Sequence, residues 1–464
     1  MKDQEAIYDA KKLGGGKCAV LGLQHLFAMF GATVLVPILT GLPVTATLFF
    51  AGLATLFCHA VTKNKIPVFL GSSFAFLGGY FTVKGLGADA GLSDVVSLNY
   101  ASIGVACAGL LYLVLSLICK LYGSKNVMKF FPPVVTGPII VSIGLILSPT
   151  ALNNCQTNWP IALVAIVTVI VANIWGKGMI KIIPILLGVV VSYAVAAFTG
   201  GCDFSAVKEA AWVGLPIAWD RTGLSVFTSG NLDTGFLITS IITIVPIAFA
   251  TMMEHVGDIS AIGGTVGKNF IEDPGLHRTL IGDGVGTAVA ALFGAPANTT
   301  YGENTGVLAL TKVYDPFVIK LAACYAIVLS FCPKFAAIIT AMPSATIGGV
   351  SIILYGMISA IGIRNMVENQ TNFQDTRNII VAALIIGLAL GIEFSGYLGC
   401  GISPEAGNAA HGAISFMIGS MKISLSGLAV ASIVGIVLNA ILPGRDEKFA
   451  DDPNKDLASS LGKY

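Results

Sequence analysis

The sequence has little charge: 11% of its 464 residues are Asp, Glu, Lys or Arg, against 55% hydrophobic ones. Soluble domains carry roughly 25% charged residues. This inventory cannot cover a water-facing surface, and mean hydropathy is +0.84. Neither sign dominates, since 26 basic and 25 acidic residues give a formal net charge of +1. That balance argues against nucleic acid or another polyanion as a partner. Paired cysteines are also missing. Cys18, Cys58, Cys107, Cys119, Cys155, Cys202, Cys324, Cys332 and Cys400 stand singly, without CxxC or finger spacing. They read as small packing residues rather than a disulfide frame or a metal site, and neither metal nor cofactor is expected. No HExxH, Ser-His-Asp or cysteine-nucleophile setting is visible, so the expectation is not an enzyme. The polar, charged residues 1–17 lead straight into an apolar stretch too long for a cleavable leader, and none is expected.

What the chain has instead is apolar segments recurring with short polar breaks. The approximate spans are 18–39, 43–61, 67–83, 100–119, 133–147, 160–175 and 180–199, then 235–255, 279–294, 302–313, 316–332, 340–360, 378–397 and 424–442. A full crossing needs about 20 apolar residues, and several segments fall short or are interrupted by Gly or Pro. In lipid, such breaks are tolerated only where protein or a cavity satisfies the freed backbone groups. The fold class expected is an all-α polytopic membrane protein of about fourteen segments. Its parts would be a cytoplasmic tail (1–17), a first seven-span unit (18–200), an extracellular connection (201–234), a second unit (235–443) and a cytoplasmic tail (444–464).

Basic residues set the orientation. With Lys11, Lys12 and Lys17 inside, alternate breaks carry Lys63 and Lys65, then Lys120, Lys125 and Lys129, then Lys177 and Lys181. The intervening breaks at 41–43 and 148–158 hold no Lys or Arg. This positive-inside pattern puts both termini in the cytoplasm. The stretch 402–422, with Glu405, His411 and Lys422, has no clear place in it.

Two short, Gly-interrupted segments, 71–81 and 295–311, are each the third span of a seven-span half. Paired broken segments point to a transporter site at the bilayer midplane, and seven spans per half would give the halves opposite topology. Close packing of Gly-rich spans explains the same residues without a site. Acidic residues tip the balance, because a charge inside a span marks a functional site by default. Glu254 and Asp258 lie at the end of the eighth span, spaced i and i+4, and share one face if helical. Two carboxylates in a poorly hydrated site resist ionising together, which suits a proton carrier. A loop lining is the alternative for Asp258, since glycines follow. Glu303 comes just after Tyr301 and Gly302 in the tenth segment, where a half-helix N-terminus would offer free N–H groups to carbonyl oxygens. Carboxylates that accept and amides that donate match a small flat ligand bearing N–H and C=O groups. His25 is either a proton relay or a buried, hydrogen-bonded structural residue. GGTVGK at 263–268 lacks the spacing of a phosphate loop, and GDGVG at 282–286 reads as helix packing.

These residues carry a resemblance. Glu303-Asn304-Thr305-Gly306 followed by Thr311-Lys312, the Gln24-His25 pair, GSSFAF and EHVGD together resemble the motifs of the nucleobase–ascorbate transporter (nucleobase:cation symporter) family. They occur in the family's order over nearly the whole chain. The family's fold implies fourteen spans in two inverted seven-helix repeats, forming core and gate domains, with short strands in the broken third and tenth segments. The resemblance implies that Glu254 and Glu303 hold a base by its N–H groups. It further implies that Phe74 and Gly302 supply backbone amides, that Ser73 precedes the first of these, and that Tyr301 and gate-side Tyr355 border the pocket. Glu at position 303 resembles the bacterial uracil permease branch. A well-known member of that branch carries histidine, tied to proton coupling, where Asp258 stands here. Proton coupling is therefore expected from Glu254, Asp258 or His25. The expected function is a proton-coupled uracil or nucleobase importer of the cell membrane, with a homodimer implied by resemblance alone. A xanthine or urate carrier and an anion transporter of the same fold are the alternatives.

Overall fold

The computed structural model describes residues 6–228, 230, 232–395, 412–418 and 421–444. The chain is mostly helical. Its first half runs through α1 (Gly15–Thr40), α2 (Val44–Val61), strand β1 (Leu70–Ser72), α3 (Leu77–Asp89), α4 (Asp94–Tyr122), α5 (Pro133–Gln156), α6 (Trp159–Ile174) and α7 (Pro184–Phe198). The second half comprises α8 (Thr234–Ile244), α9 (Ala248–Val266), α10 (Leu276–Leu292), strand β2 (Asn298–Thr300), α11 (Gly302–Thr311), α12 (Pro316–Ser330), α13 (Pro333–Thr340), α14 (Ser344–Glu368) and α15 (Thr376–Ser395). A hairpin, β3 (Ala413–Ile418) and β4 (Met421–Ser426), then leads into α16 (Gly427–Ile441).

Among the described residues, seven helices are long and apolar enough to cross a membrane, with α8 and α9 counted as one rod, and α12 with α13 makes an eighth if that pair, bent by 89°, is one span. Together with three shorter apolar helices, α6, α7 and α16, this is a multi-pass membrane protein. Local chemistry sets the ends. Ser93 caps α4 by accepting from the Val96 amide, and α5, α7 and α12 begin on proline, whose missing N–H is no loss in a first turn. Gly41 closes α1 at φ 90°, a left-handed conformation that side chains resist.

Close helix contacts rest on absent side chains. A Cβ at Gly109 of α4 would lie 2.6 Å from the Gly284 carbonyl of α10, and one at Gly284 would lie 2.7 Å from the Gly109 carbonyl. Gly362 of α14 meets Gly137 of α5 in the same way, at 2.7 Å. Lipid tails give apolar helices no net reason to associate, so close backbone approach supplies the packing.

Two expectations change here. The eighth segment does not end at 255: α9 continues to Val266, past Gly257, Gly263 and Gly264, so Glu254 and Asp258 sit within a helix rather than at a loop. Within 402–422, positions 413–418 and 421–422 belong to the hairpin, which packs on α8, α3 and α15, while 402–411, with Glu405 and His411, lies outside the described residues, as does the tail from 445. GGTVGK is the C-terminal turn of α9, closed by Gly267 at φ 74°, and not a phosphate loop.

The amino-terminal tail is held to the body. The Ile7 amide donates to the Lys312 carbonyl at 2.8 Å, the Tyr314 amide donates to the Ile7 carbonyl at 2.8 Å, and the Ala10 amide donates to Asp315 at 2.7 Å. Tyr8 donates to the Val266 carbonyl at 2.9 Å.

Candidate functional site

Strands β1 and β2 pair antiparallel, Leu70 opposite Thr300 and Ser72 opposite Asn298. Three-residue strands have edges that hydrocarbon cannot satisfy, so helices supply the partners. Thr55 of α2 accepts from the Leu70 amide (2.9 Å), and Thr287 of α10 donates to the Asn298 carbonyl (2.9 Å). The ladder extends one bond each way, Tyr301 N–H to the Phe69 carbonyl (3.0 Å) and Ser73 N–H to the Ala297 carbonyl (2.8 Å).

Each strand then turns into a helix. The first amides of α11, from Gly302 on, have no preceding turn to bond to, and Tyr301 offers them no side-chain cap. Phe74 lies just beyond the ladder, before α3. Tyr301 locks the crossing: its hydroxyl donates to the Ser72 carbonyl at 2.9 Å and lies 3.2 Å from Thr33 of α1. Its ring lies over Gly71, where a Cβ would stand 2.4 Å from Tyr301 Cζ. Gly71→Ala is therefore expected to destabilise the fold by ~1–3 kcal/mol through overpacking, read as a lower Tm. Gly78→Ala, where the new Cβ would meet Glu393 at an ordinary 3.7 Å, is the control expected to change Tm little.

Between these elements lies a cavity of about 30 Å³. One water needs ~10–15 Å³ by the same measure, so this is room for about two. One wall is polar: Glu254 and Asp258 of α9, Thr299 and Thr300 of β2, then Tyr301 and Gly302. Ile140 of α5, Ile358 and Ile361 of α14, and Phe74 also line the space. Glu254 is partly buried and Asp258 is buried. A methyl at Gly302 would reach 3.7 Å from Asp258 Oδ1, so the helix start and the acid are close neighbours. Carboxylate acceptors and a helix start among apolar side chains suit a flat polar ligand.

Of the residues expected at the site, Glu254, Asp258, Phe74, Tyr301 and Gly302 meet at this cavity. Glu303 is the second residue of α11; its side chain lies outside what the structure describes. Ser73 is buried, with its amide committed to the ladder. Tyr355 stands one ring back, packed edge-on against Phe74 at 5.6 Å between centroids. His25 is fully buried in α1 and meets the Asn304 side chain, 3.3 Å from both its ring and its carbonyl.

The three isoleucines, Thr299 and Thr300 were not foreseen, and nor was Asp283, which is fully buried in α10 beside His255. Asp283 lies in the GDGVG read as helix packing. A charge in an apolar helix was the signal, and the glycines around it masked it.

Comparison with known proteins gives a consistent picture. A family model described as "Permease family" matches residues 16–396. The chain is 38% identical over 441 residues to the uracil permease of Bacillus caldolyticus, covering 93% of each chain. It is 36% identical over 432 residues to the uracil permease of Escherichia coli K12, covering 91% of this chain and 90% of that one. In fold it is similar to the transmembrane domain of a cyanobacterium bicarbonate transporter, BicA, at TM-score 0.56 and 16% identity, covering 94% of this chain and 99% of that one.

Proposed function

Because the chain belongs to the permease family that it matches over residues 16–396, we propose that it imports uracil or a closely related nucleobase across the cell membrane, driven by protons. The observation that carries this reading is the cavity wall on which Glu254, Asp258 and the start of α11 converge. Uracil presents N–H donors and C=O acceptors around one flat ring. Glu254 and Glu303 accept from the ring N–H groups, and the amides of Phe74 and Gly302 donate to its carbonyl oxygens. Charge-assisted hydrogen bonds of this kind are roughly twice as strong as neutral ones. Ser73 and Tyr301 support these contacts from the strand crossing, and Tyr355 backs Phe74 from α14.

In this reading the chain has fourteen spans, the strand-and-helix pairs β1–α3 and β2–α11 being the broken third and tenth. Two inverted repeats give a core, which carries the polar wall, and a gate, which carries α5 and α14. A cavity of about 30 Å³ cannot seat a six-membered ring until Ile140, Ile358 and Ile361 withdraw, and that withdrawal is the core moving against the gate. The proton is taken up from outside on the Glu254–Asp258 face, where it removes one buried charge as the neutral base binds. His25, tied to Asn304, keeps α1 against α11 through the cycle. Both termini face the cytoplasm, and the assembly is a homodimer.

Labelled uracil uptake into proteoliposomes, with and without an inward proton gradient, tests the proposal. Uptake is expected to rise as outside pH falls, and to be blocked by excess unlabelled uracil. A fold shared with a bicarbonate transporter makes anion transport the second reading, but Glu254 on the cavity wall would repel an anion. Block by bicarbonate or sulfate and not by uracil would refute the nucleobase assignment, and stronger block by xanthine would move the substrate to purines.

A further inference from the structure

The outer edge of strand β1 lies against α2, and α2 meets it as a third strand would. Phe69 and Ser73 bond to the β2 side through a carbonyl and an amide, so the alternation of a ladder turns the peptide groups of Val68 and Leu70 the other way. His59 and Thr55, one turn apart on α2, receive them. His59 is fully buried, and its Nε2 lies 2.9 Å from the Val68 carbonyl. A carbonyl only accepts, so the proton sits on Nε2 and His59 donates. Thr55, also fully buried, accepts from the Leu70 amide at 2.9 Å while its own hydroxyl donates to the Ala51 carbonyl at 2.7 Å. The spacings agree: four residues of helix advance ~6 Å, and two residues of strand advance ~6.6 Å.

This edge bears on the cavity through Phe74, which lines it four residues beyond Leu70. Residues 70–73 belong to no helix, so the place of the Phe74 amide is set by what holds the two edges of β1. One edge is held by β2, and the other by α2.

We propose that His59 is a positioning residue for the substrate: with Thr55 it fastens the outer edge of β1 to α2 and so holds the Phe74 amide at the cavity. The inference rests on that cavity being the substrate site. The test compares full-length wild type, His59→Leu, His59→Gln, Thr55→Val and Ser116→Ala at a single pH. Each is measured for uracil affinity by calorimetry, for Tm, and for amide hydrogen exchange of residues 68–74 without ligand. Leucine fills the place of the ring without a donor, and glutamine restores an N–H. Ser116 makes the same kind of bond between α4 and α10, to the His277 carbonyl at 2.6 Å, and serves as the control. In His59→Leu the buried Val68 carbonyl loses its donor, and β1 is held in place for only a fraction of the time. Affinity falls in proportion to that fraction, and about tenfold weaker binding is expected in His59→Leu and in Thr55→Val. Exchange at 68–74 should quicken about tenfold in both, while His59→Gln stays within about threefold of wild type on both measures. Ser116→Ala should lower Tm and leave both unchanged. Wild-type affinity in His59→Leu (or in Thr55→Val, where His59→Leu does not fold), a His59→Gln as weak as His59→Leu, or an equal affinity loss in Ser116→Ala would each overturn the proposal. Absence of uracil binding by wild type would instead sink the substrate assignment, and the exchange rates would still decide whether His59 holds the strand.

Discussion

Glu254→Gln is expected to lower uracil uptake at least about 100-fold while the protein still folds. The substitution keeps the shape and removes the charge. One carboxylate oxygen becomes an NH2 group, which turns a donor toward ring N–H groups that are themselves donors. A hydrogen bond to a charged group contributes ~1.5–3 kcal/mol, and leaving a buried partner unsatisfied adds to the loss. About 2.7 kcal/mol is already 100-fold in affinity. Because Glu254 lines the cavity on an ordered helix, the effect should appear in binding by calorimetry as well as in uptake. Glu303→Gln should show a loss of the same kind. Normal uptake by either variant would show that its carboxylate does not hold the base.

Asp258→Asn separates binding from energy. It lies one turn beyond Glu254 on the same cavity-lining face and is the more buried of the two acids; in the proposed mechanism it handles the proton. The variant is expected to exchange internal for external uracil at near wild-type rates and to lose accumulation against a gradient. One charge moving through 100 mV is worth about 2.3 kcal/mol, which is about 50-fold in concentration ratio at 1.4 kcal/mol per tenfold. That ratio should collapse towards one in Asp258→Asn. Accumulation at the wild-type ratio would return Asp258 to a packing role.

Much of this was legible in the sequence, for identifiable reasons. Scarcity of charge determines the solvent, and the solvent determines the architecture. The i, i+4 spacing of Glu254 and Asp258 places both on one side of any helix, so their meeting at the cavity needed no tertiary information. Glycine and small polar residues at 71–73 and 298–300 marked where the chain stops being helical.

The missing parts depend on partners distant in sequence. Ile140, Ile358 and Ile361 are indistinguishable in composition from isoleucines that face lipid; only the approach of α5 and α14, permitted by Gly137 and Gly362, turns them to a cavity. Asp283 and His255 are 28 residues apart, and nothing local reveals that α9 and α10 bring them together. The end of α9 was misplaced because glycine breaks helices in water, whereas neighbours here pack against Gly257 and Gly263 and keep the helix intact. The hairpin at 413–426 has the alternation of a strand in ISFMI and KISLS, yet sits where a membrane chain is expected to be helical.

The strap formed by Ile7 and Ala10 has a practical use. Its hydrogen bonds to Lys312, Tyr314 and Asp315 join the chain's beginning to the far end of α11, whose near end opens on the cavity. A fluorophore attached through a cysteine introduced at the exposed Tyr8 position would ride with α11 as a rigid reporter. Paired with a second dye on α14, it would convert the relative travel of the two cavity walls into an energy-transfer signal, recorded in real time on single molecules.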